Sequence, residues 1–217
     1  MKKIIFTGIL SILFVGISFA QAPRIGVTAG LNVSNMTTKS DGQSETNDFK
    51  AGFQVGVVAD FAITENFSII PELLFSQRGA KHEVKGDANN YEKSSMTLNY
   101  LQLPINAAYK FDVGMGSKLF IFAGPYLGYG LSGKTKWEDV FEGKKETGSE
   151  NVKFGSKEND VKPFDFGVNA GVGYQYEKIF FKLQYNLGLA NLSNASGSSA
   201  KNTNIGVSVG YFFNWIG

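Results

Sequence analysis

The feature that most constrains the fold of this chain is an alternation of apolar and polar residues with a period of two. It is clearest from Phe164 to Tyr176, where every even-numbered residue is apolar and every odd-numbered residue is small or polar. A period of two places the two classes on opposite faces of a β-strand, whereas a helix would mix them around its circumference. The stretch therefore predicts a strand with one apolar and one polar face.

The same alternation recurs in seven more segments, so the sequence predicts eight strands. The others lie at about 25–34, 51–62, 67–78, 99–111, 119–131, 179–189 and 204–213. Short turns alternate with four long polar segments, which we interpret as loops: 35–48, 79–97, 132–162 and 191–202. Antiparallel strands that meander in this way close into a barrel. The predicted fold class is all-β, an eight-stranded antiparallel up-and-down barrel.

The chemistry of the two faces predicts that this barrel spans a membrane. The apolar set is bulky on every strand, and the interior of an eight-stranded barrel has little room for it. The opposite set is mostly Gly, Ser, Asn and Gln, which suits a narrow packed lumen better than a solvated exterior. A tilted strand crosses a bilayer in roughly 9–11 residues. We therefore favour a transmembrane β-barrel over the alternative, a soluble ligand-binding barrel with its apolar side chains inside.

Aromatic residues on the apolar faces concentrate beside the short turns and the C-terminus. The predicted girdle consists of Phe61, Phe67, Tyr109, Phe111, Tyr174, Tyr176, Phe181, Tyr211 and Phe213. Such a belt marks a membrane–water interface, and barrels of outer membranes have short periplasmic turns and long extracellular loops. The girdle is therefore predicted to lie at the periplasmic end.

The N-terminus has the features of a secretory signal peptide. Lys2 and Lys3 precede an apolar run that ends in a small-x-small cleavage site at Ala20, so residues 1–20 are predicted to be removed and residues 21–217 to form the barrel domain. The chain has no cysteine, which excludes disulfides and thiolate metal sites. Without Lys2 and Lys3, 19 basic residues balance 19 acidic residues, and this balance gives no reason to expect a nucleic-acid partner.

Six charged residues interrupt the polar faces of the predicted strands. Three are acidic and three are basic: Asp60, Glu72, Asp165, Arg78, Lys110 and Lys182. Charges confined in a narrow lumen must pair or be hydrated, because an isolated buried charge is costly. We interpret the six as a self-neutralising internal plug, with an ion pathway as the alternative.

Two further features of the sequence are candidate sites for a cofactor or a reaction. Residues 128–135 match the phosphate-loop pattern, but a charged segment follows them in place of the required helix. His82 is the single histidine, so a multi-histidine metal site is excluded. A hydrolase that uses His82 is the weakest alternative, because no G-x-S-x-G elbow accompanies it. The sequence predicts no enzyme, no cofactor and no metal.

Four segments in order resemble the PorT-type outer-membrane β-barrel proteins of Bacteroidetes: Arg24 to Met36, Pro71 to Ala80, Tyr100 to Ile105 and Val209 to Phe213. The resemblance implies a location in the outer membrane of a Gram-negative bacterium and insertion by the barrel-assembly machinery. One member of that family is associated with protein secretion. We therefore expect a non-enzymatic barrel with a structural or interaction role, in contact with outer-membrane lipid and with a protein partner at its extracellular loops or periplasmic turns. The alternatives are an accessory component of protein secretion and a small channel.

Overall fold

The computed structural model describes residues 22–40, 43–86, 90–158 and 160–213. The predicted signal peptide at 1–20 and the last four residues, 214–217, lie outside the described residues, so cleavage after Ala20 stays a prediction. No helix in those four ranges is long and apolar enough to cross a membrane.

Ten strands make up the fold within these ranges. They are β1 (Arg24–Ser40), β2 (Gln43–Thr46), β3 (Lys50–Ala62), β4 (Phe67–Lys85), β5 (Tyr91–Gly114), β6 (Ser117–Phe141), β7 (Lys144–Val152), β8 (Phe164–Tyr176), β9 (Ile179–Gly188) and β10 (Ser199–Phe212).

Eight of the strands form a closed antiparallel ring. Its order is β1-β3-β4-β5-β6-β8-β9-β10, and β10 pairs back onto β1 from Gly26↔Phe212 to Lys39↔Ser199. The two short strands lie outside the ring order, β2 against the end of β1 and β7 against the end of β6. The predicted eight-stranded antiparallel barrel is confirmed.

The two faces of the ring are chemically opposite to those of a soluble barrel. On β8 and β9, Val172 and Leu183 point outward with 53% and 50% of their surface exposed, whereas Asn169 and Asn186 are buried inside. The same alternation follows every ring strand, with large apolar side chains outside. An exposed apolar belt around the whole ring fits contact with lipid hydrocarbon.

The prediction of long polar loops is wrong for most of 35–48, 79–97 and 132–162, whereas residues 191–198 lie outside the named strands as predicted. β4 continues to Lys85 and β5 starts at Tyr91, while β6 continues to Phe141 and pairs with β7 in a hairpin. Segments 35–48 and 191–202 also contain strand residues, in β1, β2 and β10. Apolar alternation marks a strand only where one face meets lipid or a core; a strand that is wet on both faces keeps its backbone pairing but loses that signal.

Candidate functional site

The lumen holds the first candidate site, and its end beside the short turns is built around Asp60. Lys110 Nζ lies 2.5 Å from Asp60 Oδ2, and the Arg24 guanidinium pairs with the same carboxylate oxygen. Arg24 also donates to Gln175 Oε1 at 3.1 Å and stacks over the Phe212 ring at 4.5 Å. Arg24 is not among the lumen charges that the sequence predicts, because it precedes the apolar alternation of the first strand.

The two other ion pairs lie in the lumen farther from the short turns. Lys182 Nζ contacts Glu72 Oε1 at 2.5 Å, and both side chains are buried. Arg78 Nη1 lies 3.6 Å from Asp165 Oδ2, while Arg78 Nη2 donates to Gln102 Oε1 at 2.7 Å. The structure therefore brings the six predicted lumen charges together as three acid–base pairs. Each pair removes the isolated charge that would otherwise make its burial costly.

Two clusters of buried apolar residues share the lumen with these ion pairs. The lower cluster consists of Val58, Ile70, Ala108, Phe120, Phe122, Phe180 and Phe212. The upper cluster consists of Met36, Ala80, Leu98, Tyr100, Ala190, Leu192 and Ala200. Phe154 from the segment after β7 packs against the upper cluster, with its ring centre 6.1 Å from that of Tyr100.

The predicted polar faces of Gly, Ser, Asn and Gln do not account for the aromatic residues that point into the lumen. Four of them are Phe120, Phe122, Tyr126 and Phe180. A signal for them exists, because each lies directly opposite a glycine on the neighbouring strand: Phe120↔Gly173, Phe122↔Gly171, Tyr126↔Gly167 and Phe180↔Gly210. A Cβ atom at any of these glycines would collide with the facing ring. The glycines therefore make the room that the aromatic rings fill.

The nine residues of the predicted aromatic girdle lie on the outward face at the end with the short turns. Phe67 pairs across strands with Tyr109, and Tyr174 pairs with Phe181. The rings of Tyr109 and Phe111 lie 4.9 Å apart. By the usual asymmetry of outer-membrane barrels this end faces the periplasm, and the opposite end is extracellular.

The second candidate site is a sheet that projects beyond the ring at the extracellular end. This extension sheet consists of residues 79–85 of β4, 91–98 of β5, 132–141 of β6 and all of β7. The hairpin between β6 and β7 turns at Glu142 and Gly143, which both have positive φ. Phe141 beside the turn is 71% exposed. An exposed aromatic side chain at such a tip is available to a partner.

A charged network stabilises the hairpin outside the membrane-spanning segments. Lys145 Nζ lies 2.9 Å from Glu138 Oε2, and the Tyr91 hydroxyl donates to Glu138 Oε1 at 2.7 Å. The hydrogen bond from Lys145, followed by that from Tyr91, lowers the pKa of Glu138. The same contacts raise the pKa of Lys145 and of Tyr91.

The two weaker candidate sites lie in regular strands. His82 is part of β4, opposite Ser94 of β5, and not in a solvated loop as predicted. Residues 128–135 are continuous strand within β6, so the helix that a phosphate loop requires is not there. In the part of the chain that the structure describes, no three His, Asp or Glu side chains group as metal ligands.

Comparison with known proteins gives one family. The model of the family described as "Outer membrane protein beta-barrel domain" matches residues 19–194. None of the curated proteins matches the sequence of this chain.

Several solved structures are similar in fold. They include Ail, the attachment invasion locus protein of Yersinia pestis, in complex with the heparin analogue sucrose octasulfate (14% identity, TM-score 0.43, 89% of this chain and 100% of that chain). Neisserial surface protein A is similar at 13% identity and a TM-score of 0.43, with 89% and 100% covered. The outer membrane protease OmpT of Escherichia coli is similar at 9% identity and a TM-score of 0.39, with 91% and 100% covered.

Proposed function

Because this chain belongs to the outer membrane protein β-barrel domain family, we propose that it is a non-enzymatic interaction protein of the barrel type that presents its extension sheet to a partner outside the cell. The protein resides in the outer membrane of a Gram-negative bacterium.

The filled lumen is the observation that carries this proposal. All six lumen charges are buried in ion pairs, and Leu98 and Leu192 of the upper cluster are almost fully buried. A pathway for a hydrated solute needs polar groups exposed to water along its length. In the described interior the charged side chains instead pair with one another. This pairing favours a function at the ends of the barrel over a small channel.

The extension sheet is the surface best suited to that function. Strands β4, β5 and β6 carry it well beyond the ring, and its tip combines exposed Phe141 with exposed Trp137. Aromatic side chains are enriched where proteins bind one another. The resemblance to PorT-type proteins suggests a component of a secretion apparatus as the partner.

Site-specific photo-crosslinking in intact cells tests this proposal. A photoreactive amino acid at Phe141 is expected to give a discrete protein adduct. The matched control is Leu127, which is 62% exposed but lies on the lipid-facing belt, and it is expected to give no protein adduct. Mass spectrometry of the Phe141 adduct would identify the partner and show whether it belongs to a secretion apparatus. A Phe141 variant that crosslinks to no protein while the folded barrel is present would contradict the proposal.

A further inference from the structure

The outward face of the extension sheet is set by a bulge in β6. Below it, Tyr129 pairs with Leu101 and both point to lipid. The register then shifts between Asn99 and Tyr100 of β5, so that Leu131 is an extra residue and Ser132 pairs with Asn99. A bulge of this kind exchanges the two faces of a strand. Even-numbered residues of β6 therefore continue the lipid-facing side beyond this point.

This exchange places a set of lysines on the outward face. Lys81, Ser95, Lys136 and Ser149 pair across four adjacent strands in a single row. Lys134 lies in the next row toward the membrane, paired with Thr97.

A further lysine reaches the same face from the ring. Lys50 at the start of β3 lies against Gly79 of β4, and its Nζ donates to Ser95 Oγ at 2.8 Å. We call Lys50, Lys81, Lys134 and Lys136 the lysine face. It borders an open depression of about 970 Å³.

The carboxylates around the lysine face do not neutralise it. Glu83 pairs with Lys93 at 3.3 Å, and Glu138 pairs with Lys145. Asp48 also borders the depression, and its backbone N–H and C=O form hydrogen bonds with the backbone of Lys81. Among the side chains that the structure describes, no carboxylate forms a salt bridge with any of the four lysines.

The crowding of like charges also affects Lys50. Burial lowers the pKa of Lys50, and the positive charges of Lys81 and Lys136 lower it further. Positive charge is therefore concentrated at this place on the surface, and it attracts anions.

The lysine face lies above the hydrocarbon, on the side of the membrane that faces outward from the cell. The last apolar row of the belt contains Phe75, Leu101 and Tyr129. The rows of Lys134 and Lys136 lie four and six residues beyond it, which is about 13 and 20 Å along the strands at 3.3 Å per residue. With a strand tilt of about 40°, these distances become roughly 10 and 15 Å above the hydrocarbon. The flexible methylene stem of a lysine lets its ammonium group bend from these rows toward the headgroups.

We propose that the lysine face binds the phosphate groups of the anionic glycolipid in the outer leaflet of the membrane. The binding would fix the height of the extension sheet above the lipid and keep it upright beside its barrel. A lipid is favoured over a soluble polyanion because the face lies on the side of the sheet that continues the lipid-facing belt, directly above it. This inference does not depend on the proposed protein partner.

The test compares lipid binding by folded proteins in zwitterionic detergent. The probes are lipopolysaccharide, the same lipopolysaccharide after removal of its phosphates, inorganic phosphate, and heparin as a soluble polyanion. The double variant Lys134→Gln/Lys136→Gln is expected to bind lipopolysaccharide about 25-fold more weakly than wild type, since each lysine near an anionic surface contributes about fivefold. Lys134→Arg/Lys136→Arg keeps the charge and is expected to keep the affinity.

The matched control is a double variant that also removes two positive charges, but from a different site on the extracellular side. Lys153→Gln/Lys157→Gln acts on the segment after β7, over the mouth of the lumen, and is expected to leave binding unchanged. Folding of each variant is verified by the difference in gel mobility between heated and unheated samples. If the double variant does not fold, Lys81→Gln alone, with an expected loss of about fivefold, carries the test.

Three outcomes would overturn the inference. The first is equal affinity of wild type and the Gln double variant for lipopolysaccharide. The second is an undiminished affinity of wild type for the dephosphorylated lipid. The third is a tighter, lysine-dependent affinity for heparin or inorganic phosphate than for lipopolysaccharide, which would make the occupant a soluble anion.

Discussion

Strands β4, β5 and β6 of the ring continue into the extension sheet, yet charged side chains are compensated differently in the two regions. Inside the ring every predicted lumen charge has a partner of opposite sign, as Glu72 has Lys182. On the outward face of the extension sheet, Lys134 and Lys136 have none among the described residues. Water and anions can solvate Lys134 and Lys136 but not Glu72 and Lys182. A change of charge is therefore expected to cost more stability inside the ring than on the extension sheet.

Breaking an ion pair is expected to give the largest difference between the two regions. Glu72→Gln leaves Lys182 buried without its counter-ion and is expected to reduce the free energy of unfolding by about 3–5 kcal/mol. Glu83→Gln breaks the exposed pair with Lys93 and is expected to cost at most about 1 kcal/mol. Urea unfolding of the barrel in lipid vesicles measures both.

A double variant controls for the chemistry of the lumen pair. Glu72→Gln/Lys182→Met removes both charges and should recover most of the loss, because no unpaired charge remains. A Glu72→Gln variant no less stable than Glu83→Gln would mean that water reaches the lumen pair.

Adding a charge to the outward face is expected to give the next largest difference. Val172→Arg on β8 places a cation in hydrocarbon and is expected to cost about 2–4 kcal/mol near the membrane midplane. Thr147→Arg on the outward face of β7, opposite Glu138, is expected to change stability by less than about 0.5 kcal/mol, since that face is wet. Folding yield into vesicles and urea unfolding provide the measurements.

The inward face of β8 supplies the control for this prediction. Asn169→Lys should cost less than Val172→Arg, because the added charge points into the polar lumen. Greater damage from Asn169→Lys would place the lipid on the opposite face of the barrel and contradict the assignment.

Filling a glycine that faces an aromatic ring is expected to give the smallest difference. Gly173→Ala would push on Phe120, which is confined in the lumen, and overpacking of this kind costs about 1–3 kcal/mol. Gly148→Ala makes the same type of contact with Trp137 in the extension sheet, where the ring can move into water, and is expected to cost less. Thermal unfolding in the same detergent compares the two, and equal losses would show that the extension sheet is packed as tightly as the lumen.

Much of the ring was determined by the sequence alone. Lipid outside and a narrow lumen inside impose a period of two on every spanning strand, and that period is local, so it can be read without knowing which strands pair. It located the eight ring strands and the outward side of Val172. It also placed Asp60, Glu72 and Arg78 on inward faces before any partner was known.

Other features were decided by the tertiary structure. Glu72 and Lys182 are 110 residues apart in the chain, and their contact depends on the register and stagger of the whole ring. The extension sheet escaped prediction because a strand wet on both faces carries no apolar alternation. The outward position of Lys134 and Lys136 depends on the bulge at Leu131, which shows itself only when β6 is aligned with β5. The physical reason is the same in each case. The surroundings of a strand determine locally which way each side chain points, but the partner of that side chain depends on pairing between strands that are distant in the sequence.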